Sequence, residues 1–191
     1  MKSLTTRRLA LLTILSTLCI SIQLMPRPPN VEFTSLLVFI VGVFFGTFIG
    51  SALGTTVMFI NGFLSPWGFA GLMLPFQITG MIIIGIVGGL YGRTKKGTYT
   101  LSSCGETAAL GAFLTLVYDV ITNFGVAVSN IVLGMPILPA FISAIVFGAP
   151  FSLIHVVSNF LVFSLAFFPL TKALQKFFGG ENIWKKASLP M

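Results

Sequence analysis

The sequence predicts an all-α integral membrane protein, a compact bundle of six transmembrane helices with both termini cytoplasmic. Three observations predict it. Of 191 residues, 55% are hydrophobic and only 8% charged, where a soluble domain carries roughly a quarter. The apolar residues fall in long uncharged runs of helical length, as a hydrocarbon core of ~30 Å requires. The basic residues cluster between those runs and not within them. A mean hydropathy of +1.02 leaves too few polar side chains to cover a water-exposed surface. Soluble enzymes, nucleic-acid-binding domains and disordered linkers are thereby excluded.

The first span is 9–25. Its basic start and apolar run have the look of a signal peptide, but no small-x-small cleavage site follows, so it is read as a helix that stays. Pro26, Pro28 and Pro29 end it, because proline removes a donor and disfavours helix at the residue before it. Residues 33–61 then run 29 positions without a charge. That is too long for one straight span, and the reading is two helices, 33–45 and 47–61, with a turn at 45–47. The remaining spans are 75–91, 106–130 and 142–170, separated by a loop over 62–74, a basic loop over 92–100 and a Gly-Pro loop over 134–139. Residues 1–191 thus form a single transmembrane domain.

Charge placement tests the break. With six spans, ten of the eleven basic residues, all but Arg27, fall on one side together with both termini. With five spans they would divide between the two faces. The positive-inside rule favours six, with the basic side cytoplasmic and the chain multi-pass in the cell membrane. Gly42, Gly46, Gly50 and Gly54 recur every fourth residue, as do Gly85 and Gly89. Such small faces let helix backbones approach closely, and tight packing within the bundle is the expectation.

Polar residues inside hydrocarbon are costly and so are candidates for function. Asp119 is the acid deep in a span, with Asn123 one turn on and Asn130 seven residues further. Ser152, His155 and Asn159 share a face of the last helix by i, i+3, i+7 spacing. Asn61 and Gln77 lie near the outer ends of their spans, and Trp67 sits in the loop above them. This cluster opens outward and suits a small-molecule pocket. The competing reading is interhelical glue, with these groups bonding one another. Glu106 opens its helix, where an acid suits the N-terminal dipole.

Nothing points to catalysis or to a cofactor. Ser51, in Gly50-Ser51-Ala52, lacks the turn and partner of a serine nucleophile. One histidine and two distant cysteines make no metal site. No Gly-x-x-x-x-Gly-Lys-Ser/Thr loop occurs, so energy for uphill transport must come from a partner or an ion.

The segments PRPPNVEF (26–33), GVFFGTFIGSALG (42–54), Tyr118-Asp119-x-x-Thr122-Asn123 and PFSLIHVVSNFLVF (150–163), together with size and topology, resemble the substrate-binding membrane subunits (S components) of energy-coupling factor vitamin transporters. The resemblance covers roughly residues 5–175. It implies capture of a vitamin-like small molecule in an outward-facing pocket, with Asp119, Asn123, Asn130, His155, Asn159, Gln77, Asn61 and Trp67 as candidate contacts. It also implies a transmembrane coupling (T) subunit and two cytoplasmic ATPase subunits as partners, with toppling in the lipid to release ligand. The family's Ala-x-x-x-Ala docking face on the first helix is incomplete here. Ala10 is followed by Ile14, and Thr13 and Thr17 offer a substitute small face. The alternative is an autonomous ion- or proton-coupled transporter of small solutes. A membrane enzyme or an assembly subunit is the third reading.

Overall fold

The computed structural model describes residues 6–177 of the chain. Within them lie six α-helices, a single 3-10 turn at Gly71–Met73, and no strand. The helices are α1 Thr6–Leu24, α2 Thr34–Phe45, α3 Thr47–Leu64, α4 Leu74–Lys95, α5 Ser103–Val132 and α6 Ile137–Phe177. Lys2, Lys185 and Lys186, used in the charge argument, lie outside the described residues.

The expected break in the long second apolar run falls at Gly46. Its φ of 96° is a backbone state that favours glycine, so the residue ends α2 and starts α3 as an antiparallel pair. Gly46 therefore makes the turn instead of joining a straight glycine face. The 12 residues of α2 reach only about 18 Å, too short to cross a bilayer unaided. Every residue from Thr34 to Phe44 is buried, as a helix apolar on all sides should be. α2 is thus the hub around which the other helices stand. α3, α4 with its preceding turn, α5 and α6 are each long and apolar enough to span a membrane, while α1 is apolar over a shorter stretch.

Glycines set the spacing between α2, α3 and α4. A Cβ added at Gly42 would lie 2.5 Å from the Gly85 carbonyl oxygen, and one at Gly50 would lie 2.7 Å from the Gly42 Cα. One at Gly54 would lie 2.8 Å from the Met81 carbonyl oxygen. Backbones touch here, so the glycine pattern serves packing within the chain.

The segments 25–33, 65–73 and 133–136 gather at one end of the bundle, where they rim a cavity. The turn joining α4 to α5 lies at the other end with Arg93, Lys95 and Lys96. There Lys95 pairs with Glu106 at 2.5 Å, giving that acid a partner as well as a helix terminus. Tyr91, Tyr99, Phe39, Phe163 and Phe167 pack ring against ring beneath the cavity and close it from that end. α6 carries Pro150 and Pro169 within its 41 residues and runs on past the expected end at 170. Its Gln175 side chain donates to the Gly97 carbonyl at 2.5 Å, tying it to the α4–α5 turn.

Candidate functional site

The cavity at the rimmed end holds about 840 Å³, within the usual size of a small-molecule site. Its floor lies deep. Asp119 is 16 residues into α5, about 24 Å along a helix of some 45 Å. His155 is 18 residues into α6, and about 27 Å from that helix's start. The two meet near mid-bundle, His155 Nδ1 standing 2.7 Å from Asp119 Oδ1. On the other edge of the imidazole, Nε2 lies 3.5 Å from Glu32 Oε1. All three side chains are buried.

Glu32 comes from the connection between α1 and α2, and several groups hold its charge. Asn159 Nδ2 donates to Oε1 at 3.1 Å, and the Ser35 backbone N–H donates to Oε2 at 2.9 Å. The second bond satisfies an orphan donor at the N-terminus of α2, where a negative charge is also favoured by the helix dipole. Burial acts to raise the Glu32 carboxyl, but the His155 ring and Ser35 outweigh it and hold the group below the usual carboxylate range. The same connection is fixed at two further points. Ser158 Oγ donates to the Asn30 carbonyl at 3.0 Å. Thr34 Oγ1 donates to Gln23 Oε1 at 2.5 Å, an oxygen that also accepts from Arg27 Nη2 at 3.1 Å.

The structure brings most of the sequence-predicted residues to this one cavity. Asp119, Asn123, Asn130, His155, Gln77, Asn61 and Trp67 all line it. Asn159 does not; it lies fully buried, bonded to Glu32. The glue reading describes part of the set: Asn123 Nδ2 is 3.4 Å from Ser152 Oγ, and Asn130 Nδ2 is 3.4 Å from Ser143 Oγ. Among the described residues, other buried polar atoms have no hydrogen-bond partner, namely Asp119 Oδ2, Gln77 Oε1 and Asn159 Oδ1, and His155 Nε2 has only its longer contact with Glu32. Such atoms are expensive to bury unless something meets them.

Glu32, Arg27, Gln23, Tyr118 and Met58 also line the cavity and were not among the expected residues. The one signal that Glu32 offered was its charge, as one of four acids in the chain placed directly before the apolar run. Reading it as a loop residue hid that its loop dips into the bundle. Tyr118 stacks edge-on against His155 at 5.7 Å, and its hydroxyl points to Met58 Sδ at 3.9 Å. Ala10, Thr13 and Thr17 share the outer, exposed side of α1. Among the described residues, no group of three His, Cys, Asp or Glu side chains is arranged to hold a metal ion.

A family model described as "ECF transporter, substrate-specific component" matches residues 7–167. No curated protein and no solved structure matches the chain. The family match spans α1 to most of α6 and takes in every wall of the cavity. On that match the chain, an all-helical membrane protein, belongs to the substrate-specific components of ECF transporters.

Proposed function

We propose that this chain captures a vitamin-like small molecule from outside the cell in the cavity over Asp119 and His155, and delivers it as part of an ECF-type transporter. The observation that carries the reading is the deep cavity with Asp119 and His155 at its floor, in a chain of the substrate-specific family. A transmembrane coupling subunit and two cytoplasmic ATPases supply the energy, and the small exposed face of Ala10, Thr13 and Thr17 docks the coupling subunit. The chain itself binds and does not catalyse. Six crossings put both termini in the cytoplasm, with the cavity opening outward, in accord with the basic cluster at the opposite end.

Native mass spectrometry of the purified protein tests the central claim, a retained small molecule being the expected result and an empty cavity under saturating vitamin mixtures the contrary one. Partner dependence is tested in liposomes holding only this chain: ligand binds, and ATP drives no accumulation. Accumulation driven by a proton gradient would instead favour the autonomous transporter, for which the buried Glu32–His155–Asp119 cluster would be the titrating element. A reporter fused after Lys186 that works only outside the cell would refute the orientation.

A further inference from the structure

Arg27 is the basic residue that topology does not explain. It is the one Lys or Arg in the segments that rim the cavity, and it lines the cavity wall. A basic residue at this end runs against the positive-inside pattern that the other clusters follow. Its guanidinium caps the last turn of α1. Nη1 donates to the Gln23 carbonyl at 2.5 Å and the Ile22 carbonyl at 3.4 Å, and Nη2 donates to Gln23 Oε1 at 3.1 Å. A cation suits a helix C-terminus, but these acceptors are neutral and take three of the five N–H donors a guanidinium carries. Among the described residues the acids are Glu32, Glu106 and Asp119, and their ion pairs go to His155 and Lys95. Arg27 is thus a partly buried cation with no carboxylate paired to it, a costly state.

The guanidinium is also held in place. Gln23 is buried, and its Oε1 accepts from Thr34 Oγ1 at 2.5 Å as well as from Arg27. Pro26, Pro28 and Pro29 stiffen the chain on both sides. A side chain ordered in advance spares a ligand the entropy cost of ordering it. The other titratable groups on the wall are Glu32, Asp119, His155 and Tyr118. Glu32 is engaged by Asn159, the Ser35 N–H and the imidazole, and Asp119 faces the same ring. Wherever the proton between Asp119 and His155 resides, Arg27 remains the charged wall group without a charged partner.

We infer that the ligand carries an anionic oxygen group, a carboxylate or a phosphate, and that Arg27 receives it while Gln23 holds the guanidinium in position. This rests on the cavity being the ligand site proposed above. The donors that α1 leaves unused offer such a group charge-assisted hydrogen bonds, and a partly dry wall strengthens the attraction over its value in open water. A neutral isostere of the same shape gains neither.

The test uses the full chain in lipid nanodiscs and calorimetric titration with matched acid and neutral probes: nicotinate with nicotinamide, biotin with biotinamide, thiamin monophosphate with thiamin, and flavin mononucleotide with riboflavin. Within whichever pair binds, the acid member is expected to bind at least about tenfold more tightly, the scale of one hydrogen bond between charged groups. Arg27→Gln should erase that difference and leave the affinity of the neutral member unchanged, whereas a purely structural role for Arg27 would weaken both members alike. Arg27→Lys keeps the charge at the end of α1, so it serves if the first variant does not fold, and it should reduce the difference because an ammonium does not reproduce the guanidinium's donors. Neutral members that bind as tightly as the acids, a preference unchanged in every folded variant, or equal weakening of both members overturns the Arg27 assignment and leaves a ligand-binding cavity standing. Binding of no probe in any pair overturns both.

Discussion

The two halves of the bundle solve the membrane's packing problem in opposite ways. In the seam of α2, α3 and α4, glycines remove side chains so that backbones touch, as at Gly42 against Gly85 and Gly54 against Met81. Toward the rimmed end, α5, α6 and the α1–α2 connection line a cavity with polar side chains, joined by the outer turns of α3 and α4, and several buried polar atoms there lack hydrogen-bond partners among the described residues. A seam in which every atom has a neighbour tolerates no insertion and gives the molecule its frame. On the function proposed above, a ligand would complete the polar half. Rigidity and unmet bonding capacity are thus segregated, and the frame can hold the floor groups in place without consuming them.

Mutation of each half breaks this comparison in a different observable. The largest effect is expected in the seam. Gly42→Leu places a branched side chain where even a Cβ comes within 2.5 Å of the Gly85 carbonyl oxygen, and should cost about 3 kcal/mol or more of stability. Size-exclusion profiles and melting in detergent check it, and a wild-type melting curve would mean the seam is loose. Next is Asp119→Ala, which should weaken ligand binding by about 1–3 kcal/mol through loss of a charge-assisted hydrogen bond. The acid's own desolvation cost goes with it, but His155 Nδ1 loses its partner, so melting falls alongside affinity. The opposite outcome, lower thermal stability with an unchanged dissociation constant, would make Asp119 glue.

Glu32→Gln sharpens the distinction between the two acids. Glu32 bonds only to the protein, so neutralising it should lower stability by about 1–2 kcal/mol and act on melting before affinity. Greater loss of affinity than of stability would move Glu32 into the ligand's contacts. The smallest effect is expected on the outer face. Leu165 is 74% exposed, and Leu165→Ala should change stability by no more than about 0.5 kcal/mol, because lipid replaces the contacts removed. A larger loss would mark that face as covered by protein.

Much of this fold is written in local chemistry. The 29-residue uncharged run had to break, and the turn came where a glycine can take positive φ, at Gly46. Asp119 and Asn123 stood out because polar groups in an apolar helix are rare and spaced by its period. His155 was visible on the same ground, and its pairing with Asp119 needed only two helices to face each other. The place of Glu32 was illegible for a different reason. Its position depends on a proline-rich connection folding inward, and connections have no period to read. Nor could helical spacing reveal that Asn159 lies under the floor and not on its surface.

The sequence by itself determined that the chain is helical and lipid-embedded, where its helices start and stop to within four residues except in α6, which starts five residues earlier and ends seven later than expected, and which end is basic, because length, hydropathy and charge act locally along the chain. The tertiary structure alone decided that α2 is a short buried hub, that Glu32 closes a three-member cluster with His155 and Asp119, and that one oxygen of Asp119 is buried without a hydrogen-bond partner among the described residues. Those outcomes depend on how far apart the backbones stand and on which lone pairs are already taken, and both quantities exist only once all six helices are in place.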